Sequence, residues 1–310
     1  MVRLREWLGR ATGALVGALA LVPAGGCATA APVAAPAAAE VMPAAAPGPA
    51  LWRLSDADTT VYLFGTVHAL PEGADWYDAR IQRAFAEADE LVTEINMDDQ
   101  RESATTLASA AMLSGGRNLR ELMTRENRAQ YESALTALGV PVETLDPVEP
   151  WFAALNVSML PLMRSGFDPG AGVDMVLTEA GKDKRRVALE TVDEQVALFD
   201  TLPLASQFAL LEGAVEGAPT AAETLGAMVD RWIEGDADGL ATLMNADMDD
   251  PVLFQRLLYD RNARWVDWIA TRMEQPGTVF IAVGAGHLAG EGSVQDLLGE
   301  RGLEVTRIWE

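Results

Sequence analysis

The chain has 310 residues, enough for a sizeable core and for one or two domains. Apolar residues make up 49% and charged residues 22%, which excludes wholesale disorder. A net charge of -23 repels phosphate backbones and excludes general nucleic-acid binding, and a single cysteine excludes an intrachain disulfide framework or a cysteine-based zinc ribbon.

Residues 1–27 read as an export signal. Arg3, Arg5 and Arg10 form a basic start, and the apolar run Ala11 to Val22 is closed by Pro23. That run is shorter than the ~20 residues a membrane span needs. Cleavage can follow Ala28-Thr29-Ala30. Alternatively Ala24-Gly25-Gly26-Cys27 serves as a lipoprotein box, in which case Cys27 is a membrane tether. Both readings give an exported protein, periplasmic or lipid-anchored to the outer membrane of a Gram-negative bacterium. Residues 28–50 are dominated by Ala and Pro and suit an extended spacer. Removing residues 1–27 takes away three Arg and Glu6, so the folded part, 51–310, is the acidic part.

Two short runs, Leu51 to Leu54 and Thr60 to Phe64, flank the polar stretch Ser55 to Thr59 and predict a β-hairpin. A helix over about Trp76 to Ala88 precedes a strand, Leu91 to Ile95. Residues 100–165 read as mainly helical, broken near Gly115-Gly116 and between Pro141 and Pro150. After the Asp168-Pro169-Gly170 turn come a short helix, Val173 to Ala180, and a strand, Arg186 to Glu190. Thr191-Val192-Asp193-Glu194 fits a capping box and starts a helix. Helices fill most of 193–275. Thr278 to Val283 is apolar throughout and largely β-branched, as expected of a strand buried on both faces. A helix near Val294 to Leu298 and a strand, Leu303 to Ile308, end the series. Strands alternating with helices predict an α/β domain with a mostly parallel or mixed central sheet, flanking helices and a large helical insertion.

The two histidines share one local context. His68 and His287 each end a Gly-x-x-His after a strand-like run, where ligands of open α/β sheets bind. Either alone reads as an isolated loop residue. Together they predict a shared site, with imidazole serving as metal ligand or general base. Glu94 lies inside the apolar run Leu91 to Ile95, where a carboxylate is costly unless it meets a cation or a hydrogen bond; an edge strand also explains it. Glu190 ends the next strand and alone reads as a solvated strand end. Arg261 falls on the apolar stripe of a helix over Val252 to Met273, with Asn262 at its border. An inward Arg pairs with a carboxylate or grips an anionic group. Asp174 reads as a helix-start residue, with a place in the site as the other reading. Two His with one or two carboxylates suit a divalent metal.

These segments together resemble the TraB/PrgY/GumN family, relatives of the Tiki proteases. The matching pieces are Tyr62-Leu63-Phe64-Gly65-Thr66-Val67-His68, Leu91-Val92-Thr93-Glu94, Gly172-Val173-Asp174, Leu189-Glu190-Thr191-Val192-Asp193-Glu194-Gln195, Arg261-Asn262-Ala263-Arg264-Trp265 and Val283-Gly284-Ala285-Gly286-His287-Leu288. The resemblance implies a fold similar to erythromycin-esterase-like and ChaN-like proteins. It also implies a metallohydrolase of peptidase type acting on a peptide or protein. His68, Glu94 and His287 would hold a divalent cation, Mn²⁺ first and Co²⁺ or Zn²⁺ otherwise. Glu190 would be a general base or further ligand, and Arg261 and Asn262 would stabilise the oxyanion or grip a substrate carboxylate. ChaN-like relatives bind haem, and erythromycin-esterase relatives point to a metal-free histidine base, so two other expectations stand beside the first.

Overall fold

The computed structural model describes residues 48–96, 100–245 and 251–309. The export signal, Cys27 and the spacer up to residue 47 lie outside the described residues. The predicted hairpin forms from β1 (Leu51–Ser55) and β2 (Thr59–Thr66), antiparallel from Leu51↔Phe64 to Ser55↔Thr60. Its turn is closed by Asp56, whose Oδ1 accepts from the amides of Asp58 at 3.1 Å and Thr59 at 2.8 Å. A two-residue ladder joins β3 (Leu70–Pro71) to β5 (Phe167–Asp168).

The main sheet adds β4 (Glu90–Thr93), β6 (Arg185–Ala188), β7 (Gly277–Gly284) and β8 (Thr306–Ile308), in the order β6-β4-β7-β2-β1-β8. β6, β4, β7 and β2 run parallel, whereas β1 is antiparallel to both its neighbours, so the six-stranded sheet is mixed. β7 lies near the middle and alternates between two cores. Phe280 and Ala282 face one, and Val279, Ile281 and Val283 face the other. This is why its sequence is apolar without alternation.

The helices follow the predicted pattern with shifted ends. α1 (Ala79–Glu87) is capped by Asp78, whose side chain accepts from the amides of Arg80 and Ile81. Between β4 and β6 come α2 (Gln100–Ala110), α3 (Arg125–Ala137), α4 (Pro150–Arg164) and α5 (Val173–Ala180). Between β6 and β7 come α6 (Val192–Asp200), α7 (Leu204–Gly217), α8 (Ala221–Ile233) and α9 (Ala237–Asn245). The Thr191–Glu194 capping box is complete at the start of α6. α8 is tied to the end of β2 by Trp232, whose indole N–H donates to the Gly65 carbonyl at 2.8 Å.

The helix predicted over Val252 to Met273 is instead α10 (Pro251–Phe254), a π-helical turn (Gln255–Tyr259) and α11 (Asp260–Arg272). Buried pairs recur there every four residues, at Leu257/Leu258, Arg261/Asn262 and Trp265/Val266. That period exceeds 3.6, and the wider π turn keeps the pairs on one face. α12 (Val294–Glu300) packs beside α11 against the same core, through Leu297 and Leu298.

Candidate functional site

Four parallel strands in succession each deliver one predicted side chain just past their carboxyl ends. Glu190 follows β6, Glu94 follows β4, His287 sits in the 3₁₀ turn Ala285–Leu288 after β7, and His68 follows β2. Glu94 lies beyond its strand rather than inside it. Pairing with β7 stops at Thr93↔Ala282, where the Thr93 hydroxyl donates to the Ile95 carbonyl at 2.7 Å and turns the chain. The Glu190 amide then donates to the Glu94 carbonyl at 2.8 Å and keeps the two carboxylates adjacent.

Gly284 marks the centre. A Cβ there would stand 3.1 Å from Glu94 Oε1, 3.7 Å from His287 Cδ2 and 3.8 Å from His68 Nε2. Both imidazoles therefore face one point, separated by no more than those last two distances together. Its φ is ordinary, so close approach rather than backbone strain favours glycine.

Arg261 ties the buried half together. Its Nε donates to both Glu190 oxygens at 3.0 Å, and Nη2 donates to Glu190 Oε2 at 2.8 Å and Glu94 Oε2 at 2.6 Å. Nη1 donates to the Leu257 carbonyl at 3.1 Å and to His287 Nε2 at 2.9 Å. A guanidinium has no acceptor, so His287 Nε2 receives this bond and the ring proton sits on Nδ1, which donates to Asn262 Oδ1 at 2.6 Å. Asn262 is itself fixed through Nδ2 on the Gly292 carbonyl at 2.8 Å. The Trp265 ring covers His287 at 4.2 Å between centroids and lies 4.8 Å from the Arg261 guanidinium carbon.

The environment sets the charge states. Burial and then the Arg261 guanidinium push the His287 imidazole down to about 3, so it is neutral. Burial would raise the Glu94 carboxyl, but Arg261, the two histidines and the Gly284 N–H, which donates to Oε1 at 2.7 Å, hold it well below the usual carboxylate range. Burial alone would lower His68, yet the carboxylates of Asp174 and Glu94 outweigh it and raise its pKa.

His68 is held differently from its counterpart. Its Nδ1 meets Asp174 Oδ1 at 2.7 Å, which turns Nε2 toward Gly284. Asp174 does not cap its helix: the N-cap is Gly172, without a side-chain bond, and Asp174 stands in the first turn facing His68. Gly172 is required there, since a Cβ would fall 2.3 Å from the His68 carbonyl oxygen. Among the six predicted side chains and Asp174, solvent reaches this flank most. Side-chain exposure is 22% for Asp174 and 13% for His68 and Glu94, against 2% for Glu190 and Arg261 and none for His287.

Three further residues, present in the matching segments but given no role there, complete the cluster. Gln195 Nε2 bridges Glu94 Oε2 at 3.0 Å and Glu190 Oε2 at 3.3 Å, Arg264 Nη2 donates to Glu190 Oε1 at 3.1 Å, and Trp265 covers the histidine. Gln195 carried a readable signal. It lies with Val192, Val196 and Phe199 on the inward stripe of α6, a polar residue on an apolar face just as Arg261 is.

Two features of the donor set bear on a divalent cation. Both rings bind oxygen through Nδ1, as metal-bound histidines do. His287 Nε2, however, already accepts from a guanidinium, and that fixed positive charge occupies the position a cation would share. No group of three or more His, Cys, Asp or Glu is arranged to hold a metal among the described residues. The residues as arranged do not fit the cation.

The chain is 25% identical to the uncharacterized protein YbaP of Escherichia coli (strain K12) over 76% of its own length and 87% of that protein. It is 22% identical to an uncharacterized protein of Treponema pallidum (strain Nichols) over 81% of its own length and 80% of that one. No solved structure matches it significantly. The TraB/PrgY/gumN family model matches residues 50–307, which takes in every strand of the sheet but the last residue of β8 and all the residues of the cluster, and the chain belongs to that family.

Proposed function

We propose that the chain is an exported hydrolase of acyl bonds with peptide substrates, on an erythromycin-esterase/ChaN-like fold, and that His68 is its general base. The observation that carries this reading is the His68–Asp174 pair at 2.7 Å, with Nε2 turned toward Gly284 and Glu94 on the solvent-reached flank. Nδ1–H donates to Asp174, so Nε2 has the lone pair. In the step we assign, the oxygen of a water bonds to the scissile carbonyl carbon while Nε2 takes its proton. Asp174 opposes the imidazolium that forms. The same proton passes to the leaving amine as the C–N bond breaks, releasing a carboxylic acid and an amine.

Glu94 Oε1, fixed by the Gly284 N–H, is the acceptor that orients the water. Arg261, Asn262 and Glu190 act as positioning residues. Every N–H of the Arg261 guanidinium is engaged inside the protein, and both Glu190 oxygens are bonded, so neither residue touches the substrate. The pocket beside His68 measures about 30 Å³, far too small for a haem, which favours hydrolysis over the binding of a haem.

The test is peptide-library cleavage by the purified full chain and its His68→Ala variant, with and without EDTA, alongside metal analysis. Cleavage that survives EDTA and disappears with His68→Ala is expected. Cleavage restored only by Mn²⁺, Co²⁺ or Zn²⁺ would return the metal-dependent reading, and cleavage indifferent to His68→Ala removes His68 as base. Export through residues 1–27 is checked separately by cell fractionation, and a tether by lipid labelling that Cys27→Ser abolishes.

A further inference from the structure

The carboxyl ends of β2 and β7 are roofed by α8 and α9, and the roof is apolar. Met228 and Val229 of α8 and Leu240 and Met244 of α9 face His68 and Gly284 across a cavity of about 30 Å³. His68 is the one ionisable group lining it. The imidazole is held at Nδ1 by Asp174, and Glu94 stands beside Gly284. An apolar group attached to a carbonyl carbon within reach of a water on Nε2 finds apolar surroundings under this roof. At about 30 Å³ the cavity is small. A group of one carbon fits without rearrangement, and a branched or aromatic side chain does not.

We propose that this cavity is the acyl-side specificity pocket and that it selects a small apolar residue, alanine before leucine or phenylalanine, next to the scissile bond. The inference rests on the hydrolase reading. Met228 and Met244 set the limit. The Met244 methyl packs against Gly286, close enough that a Cβ there would fall 2.4 Å from it, so this side chain forms the wall nearest the second Gly-x-x-His. Because thioether chains are flexible, shortening them enlarges the pocket without exposing a polar group.

Two measurements on the full chain separate this proposal from the reading beneath it. In the first, the protein is labelled with ¹³C at the methionine methyls and titrated with N-acetylalaninamide and, separately, N-acetylphenylalaninamide. The Met228 and Met244 methyl signals shift with the alanine probe and not with the phenylalanine probe, while surface-exposed Met163 is silent with both. Absence of a shift at Met228 and Met244 overturns the pocket whether or not the protein cleaves anything. In the second, kcat/KM is compared for the p-nitroanilides of N-acetyl-Ala, N-acetyl-Leu and N-acetyl-Phe. Wild type prefers Ala, and Met228→Ala and Met244→Ala each move the Leu/Ala ratio upward by about tenfold, the scale set by a few methylenes in an apolar pocket. An unchanged ratio in both variants, each shown folded by circular dichroism, overturns the pocket. Methyl shifts without cleavage of any anilide leave the pocket standing and remove the hydrolase reading.

Discussion

Replacing Arg261 by Met tests the buried half of the site, because it deletes the charge and keeps most of the volume. In the wild type one nitrogen of that guanidinium touches both carboxylates, at 2.6 Å to Glu94 and 2.8 Å to Glu190, with Arg261 only 1% exposed. The variant leaves two carboxylates close together, with Glu190 almost fully buried and Glu94 largely so, and with only Arg264 and Gln195 as side-chain donors. Breaking a buried ion pair from one side costs about 3–5 kcal/mol, or on the order of 10 °C in melting temperature for a domain of this size. The sign with pH follows from Glu94. Its folded pKa lies below its unfolded value, so in the wild type it contributes stability above pH 4.5 that is lost as pH falls. Without Arg261 burial dominates and the carboxyl moves up, so the variant regains ground as it protonates. Urea titrations at pH 7 and pH 4.5 read this directly: the gap between the two proteins is widest at pH 7 and narrows toward pH 4.5. Adding Glu94→Gln and Glu190→Gln to Arg261→Met restores most of the loss. A loss below about 1 kcal/mol at pH 7, typical of an exposed pair, would refute the buried network, as would a gap independent of pH.

His68→Ala lowers kcat/KM on a cleaved peptide by about 10²–10⁴-fold, the range of a general base, and Asp174→Asn lowers it less while leaving the His68 side chain in place. The acid limb of the wild-type rate profile lies above the ordinary histidine value of 6.5, since the Asp174 and Glu94 carboxylates raise His68. Asp174→Asn brings that limb down, and a limb that stays put excludes the pairing as its cause. His287 gives a separate signature in stability. Its folded value is about 3, so between pH 6.5 and 3 the unfolded chain takes up a proton that the buried ring refuses, and stability falls with pH by at most about 1.4 kcal/mol per unit. Comparing wild type with His287→Gln between pH 6.5 and 4.5, above the carboxylate range, isolates this slope; equal slopes for the two proteins refute a neutral buried imidazole. His68 acts with the opposite sign, its contribution being present below 6.5 and lost as pH rises through its raised folded value.

Much of the fold was legible because several local signals agree. The β1–β2 hairpin, the capping box at Thr191 and the strand from Thr278 each combine a period with a boundary residue, and each forms where the pattern places it. Ends were less legible. Glu94 and Ile95 read as strand because their neighbours are apolar, but strand length is set by the partner, and the β4–β7 ladder stops at Thr93↔Ala282. The π turn before Arg261 was invisible because an apolar stripe fits either helix once spacings of three and four are both allowed. In the site, Glu94, Glu190, Arg261, Asn262 and the two histidines converge because each follows or faces a strand end. Asp174 was read mainly as a helix-start residue because position and chemistry coincide: the first helical turn favours an acid for its own dipole, which hides a second use against His68.

The division of labour within the cluster follows from the cost of burying charge. Arg261 and Glu190 sit deepest, and they are tolerable there only because each satisfies the other with well-formed bonds, which also leaves them no donor or acceptor to offer a substrate. His287 is equally deep and meets the same requirement by staying neutral. A group that must gain and lose a proton during turnover needs both a compensating charge and a route to water. Within the cluster His68 meets both conditions, with Asp174 at 2.7 Å and a solvent-reached edge. The two Gly-x-x-His segments look alike in sequence, yet burial separates their roles. One imidazole is locked between Asn262 and Arg261, and the other is held by Asp174 beside an apolar pocket, which is the ground for proposing His68 rather than His287 as the base.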